Sequence, residues 1–388
     1  MYSIKLLNKI AKCGLDELPV DNFKASEGES NPDGILVRSA VMEEASLTPN
    51  LKCVARAGAG VNNIPVEECA KRGIVVFNTP GANANAVKEL VIAGLLLSSR
   101  NIHAGINWVQ SLQGQTGVAA LVEKGKSDFT GPEISGKTLG VIGLGAIGGL
   151  VANAAQALDM RVIGYDPQLS PEYASKLLPQ LQITDSEDTL AAASDYISVH
   201  IPLSAKTKAK FGAEFFAKCK KGVKILNFAR AELFDDAALL AAIEDGTVGC
   251  YVTDFPTEAH LGNNKIITIP HLGASTPESE DNCATMAAAQ IREYLLSGNI
   301  KNSVNYPDLE VPKGAGERLC VLYKHEDGYT GNIHAFMDQQ GISVAQAHSA
   351  LKGICGYVII DASPSNDIGS LEKFVSEQPA TVSVRRIM

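Results

Sequence analysis

One stretch constrains this chain more than any other: Thr138-Leu139-Gly140-Val141-Ile142-Gly143-Leu144-Gly145-Ala146-Ile147-Gly148. Its apolar run reads as a buried strand. It breaks into Gly-x-Gly-x-x-Gly ahead of an Ala-rich helix read over Ala152 to Leu158. Each glycine has a task in a phosphate-binding turn. Gly143 permits the tight turn, Gly145 removes the side chain that would hold a pyrophosphate off the backbone, and Gly148 lets helix pack on strand. The helix N-terminus then offers free N–H groups and the positive end of its dipole. Arg161 to Tyr165 reads as the next strand and ends in Asp166. That acid stands at roughly the 20-residue spacing expected of a group that holds an adenosine ribose diol. Strand, turn, helix, strand and acid, arriving in order, predict a doubly wound dinucleotide-binding unit.

At 388 residues the chain is longer than one hydrophobic core usually serves, so two or three domains are expected. The longest apolar run, Leu90 to Leu97, is far too short to span a bilayer. Met1-Tyr2-Ser3-Ile4-Lys5 lacks the apolar core of a signal peptide. Eight scattered cysteines include no Cys-x-x-Cys and no histidine pairing at metal spacing. They read as reduced small hydrophobes of a cytoplasmic chain without a metal site. A formal charge of −9 argues against nucleic-acid and anionic-membrane partners. A local arginine cluster still allows an anionic substrate.

Residues 1–95 read as a first α/β unit, with strands at Gly34 to Val37, Cys53 to Ala55 and Gly73 to Asn78. The loop Arg56-Ala57-Gly58-Ala59-Gly60-Val61-Asn62-Asn63 and the pair Arg38-Ser39 follow strands, where open α/β sheets place ligands. Asn83 lies in a polar turn before an apolar helix, to contact substrate or to cap that helix. Residues 96–137 read as a connecting segment, mostly loop from Gly114 to Gly136, with Trp108 as a packing or subunit-contact residue. Beyond Asp166, strands recur at Tyr196 to His200, Val223 to Asn227, Cys250 to Thr253 and Ile266 to Ile269. Their C-terminal ends carry His200, Arg230, Asp254 with Glu258, and His271. A helix over Cys283 to Leu296 is expected to return to the first unit. The expected division is therefore 1–95 with 275–305, a dinucleotide unit 96–274, a linker 306–316 rich in Pro and Gly, and a tail 317–388. The tail reads as βαββαβ, the ferredoxin-like order: strands at Arg318 to Tyr323, Ile342 to His348, Tyr357 to Asp361 and Thr381 to Ile387, helices at Gly331 to Gln340 and Leu371 to Ser376.

Three residues at the strand ends suit oxidation of a secondary alcohol beside a carboxylate. His271 fits a base that accepts the hydroxyl proton. Arg230 fits a cation whose planar fork holds the carboxylate, and Glu258 an acid that fixes the base's tautomer.

At this point the motifs match a family. Arg56 to Val61, Gly140 to Gly148, Asn227-Phe228-Ala229-Arg230 and Pro270-His271-Leu272-Gly273-Ala274-Ser275-Thr276 make the chain resemble the D-isomer-specific 2-hydroxyacid dehydrogenases, nearest to those that oxidise 3-phosphoglycerate. The tail resembles an ACT domain, a regulatory module that pairs across subunits and binds an amino acid. The resemblance implies two Rossmann-like domains, NAD as cofactor, a phosphorylated 2-hydroxyacid as substrate, and a homo-oligomer in a serine-forming route. It assigns catalysis to Arg230, Glu258 and His271. The cofactor falls to Gly143, Gly145, Ala146, Ile147, Gly148, Asp166, Pro202, Phe228, Ala229, Thr253, Asp254, Gly273 and Ala274. The substrate falls to Arg38, Ser39, Gly58, Ala59, Gly60, Val61 and Asn83. Three departures stand out. Ala231 replaces the glycine usual after the arginine. The acid near the nicotinamide aligns to Thr253 although Asp254 is adjacent, which leaves the facing residue open. His325-Glu326-Asp327-Gly328 is about two residues shorter than the family's serine-binding loop and lacks its proline, which argues against serine inhibition. Alternatives are a different 2-hydroxyacid, or a non-catalytic NAD(H) sensor on the same fold.

Overall fold

A computed structural model of the chain describes residues 1–363 and 368–388. The backbone divides into two units, Met1–Asn83 with Pro277–Met388, and Ala84–Thr276.

In the first unit, β1 (Tyr2–Leu7), β2 (Phe23–Ser26), β3 (Gly34–Val37), β4 (Cys53–Arg56) and β5 (Val75–Phe77) form a parallel sheet in the order β2-β1-β3-β4-β5. This sheet has five strands where the sequence shows three. β1 and β2 escape a pattern search because only Ile4 in β1 and Phe23 in β2 are buried. The helix Pro277–Ser297 does return to this unit. Its stripe of Ala284, Ala287, Ala288, Ile291 and Leu295, at helical spacing, shares one core with Ile4, Leu36, Cys53 and Phe77. Small residues let it approach closely: a Cβ added at Gly14 would lie 2.7 Å from Ala284.

In the second unit, β6 (Thr138–Ile142), β7 (Arg161–Tyr165), β8 (Gln182–Ile183), β9 (Tyr196–Val199), β10 (Val223–Asn227), β11 (Val248–Thr253) and β12 (Ile266–Thr268) are parallel, in the order β12-β11-β10-β9-β6-β7-β8. Strand order reverses between β6 and β9, the switch point at which such sheets bind ligands. β6 and β9 are buried on both faces, hence their largely apolar character apart from Thr138 and Ser198. The connecting segment holds the helices Ile102–Ser111 and Val118–Gly125, and the second falls inside the 114–136 stretch expected to be mostly loop. Neither holds a buried residue, although both carry an amphipathic pattern. Trp108 packs on Phe129 with ring centroids 5.1 Å apart.

The tail has the expected βαββαβ order. β13 (Arg318–Lys324), β14 (Val344–Lys352), β15 (Cys355–Ala362) and β16 (Thr381–Ile387) pair antiparallel as β14-β15-β13-β16, with helices Tyr329–Gln340 and Gly369–Ser376. Leu319, Val321 and Tyr323 pack with those helices through Ile333, Met337, Leu371 and Val375. The alternate residues Cys320 and Leu322, with Tyr357 and Ile359, enter the core of the first unit beside Ile291 and Tyr294. The tail is thus continuous with the first unit rather than a third body on a tether. The expected linker is packed as well: Tyr306 and Val311 are buried, and the Tyr306 hydroxyl donates to the Ala70 carbonyl at 2.7 Å. No helix among the described residues is long and apolar enough to cross a membrane.

Candidate active site

The glycine turn has the geometry its sequence predicts. Gly143 takes φ +91°, and a Cβ there would lie 2.8 Å from the His200 carbonyl oxygen. A Cβ on Gly148 would lie 1.8 Å from the Gly143 carbonyl oxygen, so helix and turn touch backbone to backbone. A Cβ on Gly145 would meet nothing within 4 Å: the space in front of it is open. The helix Ala146–Ala157 starts there, and the first N–H groups of a helix have no intrahelical acceptor. Open space, free donors and a positive dipole end fit a pyrophosphate. Asp166 accepts the Leu144 N–H through one oxygen and the Gln168 N–H through the other, both at 2.9 Å. The acid is thereby tied to the turn, and each oxygen keeps a lone pair for a ribose hydroxyl.

Arg230 and His271 come together around the β11 exit. The Arg230 guanidinium lies over the Phe255 ring at 5.6 Å, and the His271 ring lies 4.4 Å from the same ring. Asn227, fully buried, holds the arginine's turn. Its amide donates to the Arg230 carbonyl and to the Tyr251 hydroxyl, both at 2.9 Å, and its oxygen accepts the Ala229 N–H at 3.2 Å. Phe228 is buried, Ala229 half-buried, and Arg230 and His271 are exposed. Ala231 opens a short 3-10 turn and is not among the positive-φ residues, so it strains nothing there.

Thr253 and Asp254 differ in their contacts. The Thr253 hydroxyl, buried, accepts the Phe255 N–H at 3.0 Å. Asp254 is 1 % exposed, and its Oδ2 accepts the Gly273 N–H at 3.1 Å. Its Oδ1 is buried without a hydrogen-bond partner among the described residues. Burial pushes the Asp254 carboxyl above its ordinary value; the Gly273 N–H and the charges of His271 and Arg230 offset this only in part. An unpartnered buried acceptor invites a donor, and a carboxamide N–H is one. Ala274 is half-buried beside this bond, and Pro202 is exposed after β9.

Glu258 stands exposed on the 3-10 turn Glu258–His260, and no hydrogen bond or ion pair among the described residues joins it to His271. The turn itself is firmly anchored. His260 is buried, accepts the Thr257 N–H at 3.1 Å and lies 3.1 Å from Asp236, which also accepts from the Thr257 hydroxyl at 2.9 Å. Phe255 and His260 carry no signal in the sequence, and Asn227 shows there only as part of the motif that ends in Arg230. The sequence marks His200 at a strand end without a role. The His200 Nε2 lies 2.8 Å from the Ser198 hydroxyl, and burial lowers its imidazole to about 4.

The first unit holds the remaining residues. Arg38 follows β3 and forms an ion pair with Glu280, in the first turn of the helix Pro277–Ser297. The Arg56 guanidinium donates to the Gly60 carbonyl and, at 3.0 Å, to the Arg38 carbonyl. This bends the loop 58–61 around one arginine. The Asn78 amide closes the loop on the Ala59 carbonyl at 2.6 Å, and the Thr79 N–H on that of Gly58 at 3.1 Å. Ser39, exposed, donates its N–H to Asn8 at 3.1 Å; Val61 is half-buried, and Asn83 lies half-buried in the turn before the helix Ala84–Arg100.

Residues 92–275 match the family model for the NAD binding domain of D-isomer specific 2-hydroxyacid dehydrogenases. The chain is 37% identical over 294 residues to the D-3-phosphoglycerate dehydrogenase of Mycobacterium leprae, covering 74% of this chain and 53% of that protein. It is 36% identical over 289 residues to the Methanocaldococcus jannaschii enzyme of the same name, covering 72% and 52%. The chain thus spans about half the length of the curated relatives it matches. Among solved structures, the NAD+-bound 3-phosphoglycerate dehydrogenase of Entamoeba histolytica aligns with a TM-score of 0.63 at 27% identity, covering 79% of this chain and 99% of that one.

Proposed function

With residues 92–275 as the NAD binding domain of a D-isomer specific 2-hydroxyacid dehydrogenase, we propose that the chain belongs to that family and oxidises 3-phospho-D-glycerate to 3-phosphohydroxypyruvate. The observation that carries the reading is the meeting of Arg230 and His271 around Phe255 and Asp254, in the same unit as the Gly143–Gly148 cradle. The turn, Asp166 and Asp254 are the groups that would hold NAD. Bound there, NAD supplies an acceptor for the hydride from C2 of the substrate.

The chain's own residues then do the rest. His271 takes the proton of the C2 hydroxyl in the forward direction and returns it in reverse. Arg230 binds the substrate carboxylate and stabilises charge that develops on the C2 oxygen. Glu258 is the acid assigned to orient the imidazole, and its exposed place leaves that role to be tested against Asp254. Arg38, Ser39, Asn83 and the 58–61 loop are assigned to the substrate's phosphate and carboxylate ends. For the tail we propose an ACT-type role in subunit contact, within a homo-oligomer in the cytoplasm. The shortened 325–328 loop disfavours serine as effector.

Purified protein with NAD and 3-phosphoglycerate at alkaline pH should produce NADH. A folded, NADH-binding sample that gives no turnover would refute the reading. The competing reading is a non-phosphorylated 2-hydroxyacid; a panel of glycerate, lactate and 3-phosphoglycerate separates the two by KM.

A further inference from the structure

Arg38 carries the only charge in the pair Arg38-Ser39, yet it is not a bare cation. Its guanidinium is paired with the Glu280 carboxylate, and the two side chains are 43% and 42% exposed. Glu280 occupies the first turn of a 21-residue helix, where the dipole favours a carboxylate. The group that would receive a substrate anion thus already holds one at rest. The neighbouring Arg56 does not replace it: its guanidinium is committed to the Gly60 and Arg38 carbonyls, which shape the loop.

We infer that Glu280 is a specificity-determining residue that competes with the substrate's phosphate for Arg38 and sets how strongly a phosphorylated acid is preferred over a non-phosphorylated one. The inference rests on the substrate reading given above, and takes Arg38 as the cation that receives the phosphate. A dianionic phosphate brought to Arg38 must displace the carboxylate or lie beside it. Either way its binding is weakened by like charge at short range, in a partly solvated and salt-screened setting. An acid with no phosphate does not approach Arg38 and does not meet this penalty. Electrostatic selection by a repulsive element of this kind works against one ligand and leaves the other untouched.

The test is steady-state kinetics of the parent, Glu280→Gln and Glu280→Asp with 3-phosphoglycerate and with D-glycerate, at low and high salt. Turnover of 3-phosphoglycerate by the parent comes first; without it the substrate reading itself fails, independently of Glu280. Given that turnover, Glu280→Gln should lower KM for 3-phosphoglycerate by about three- to tenfold, with kcat and the KM for D-glycerate little changed. Added salt should shrink the difference. Glu280→Asp, which keeps the charge, should stay near the parent. A rise in KM with Glu280→Gln would mean the carboxylate merely anchors Arg38, and an equal shift for both substrates, or none, would equally overturn the inference. An unchanged melting temperature secures the comparison, since an exposed ion pair contributes little to folding.

Discussion

Asp361→Asn should loosen the whole first unit rather than the tail alone. Arg318 and Asp361 are both fully buried and meet through two parallel bonds, Nε–Oδ1 at 2.6 Å and Nη2–Oδ2 at 2.8 Å. The remaining guanidinium donors reach the carbonyls of Ser297 at 2.8 Å and of Val311 and Pro312 at 3.0 Å. Asp361 also accepts from Gln346 at 2.6 Å and from the Gly314 N–H at 3.2 Å. The network thus ties β13 and β15 to the end of the helix Pro277–Ser297 and to the 311–314 segment. Burial alone would raise the Asp361 carboxyl. Arg318, Gln346 and the Gly314 N–H outweigh it and hold the carboxyl below its ordinary value. The asparagine keeps the shape but leaves a buried guanidinium without its counter-charge, which costs about 3–5 kcal/mol. At about 1.4 kcal/mol per tenfold, globally exchanging amides should lose protection by roughly 10² to 10³-fold or more. Hydrogen–deuterium exchange resolved by peptide is the assay. Loss should appear together in β13, β15, β4 and the helix Pro277–Ser297. Because the folded carboxyl titrates below its unfolded value, the pair's contribution is present above that unfolded value. It fades as pH falls through the folded one, so parent and variant should converge in acid. Faster exchange confined to residues 317–388, with the helix unchanged, would refute the shared core.

His271→Ala should abolish turnover and keep NADH affinity, measured by cofactor fluorescence; lost affinity would move the residue from chemistry to binding. Glu258→Gln and Asp254→Asn separate the two acids. If Glu258 orients the base, its variant lowers kcat by about 10²-fold or more and distorts the pH profile, whereas Asp254→Asn chiefly raises the NAD Kd; exchanged effects would transfer the orienting role to Asp254. His200, held at about 4 against about 6.5 unfolded, contributes stability that is complete above the unfolded value and is lost as pH falls from there through about 4. Denaturant titrations should show His200→Gln less acid-sensitive than the parent across that window, by at most about 3 kcal/mol; parallel profiles would show that His200 is not buried neutral.

What the sequence reveals here follows from how local each signal is. The Gly143–Gly148 turn and Asp166 are legible because tight backbone geometry demands particular residues at fixed spacing. The tail's central strands are legible because β13 and β15 are near-continuous apolar runs, buried on both faces by different neighbours. β1 stays hidden since Lys5 interrupts it and only Ile4 is buried, although it lies inside the sheet. The destination of Cys320 and Leu322 is equally hidden: alternation says that a second face is apolar, not which helix covers it. At the site, Arg230 and His271 announce themselves by type and position. Phe255 and Asn227 act through packing and amide hydrogen bonds, whose partners come together only in the folded chain. Likewise, nothing in the pattern around Glu280 pairs it with Arg38, 242 residues away.

The central claim is that this chain moves the C2 hydrogen of a phosphorylated acid to NAD while His271 collects the hydroxyl proton. The most direct measurement follows NADH formation from 3-phosphoglycerate deuterated at C2. The account predicts one deuteron in each NADH formed, on a single face of the ring, and none of this with His271→Ala. NADH lacking the label, or a folded and cofactor-binding protein that forms no NADH from this acid, would contradict it.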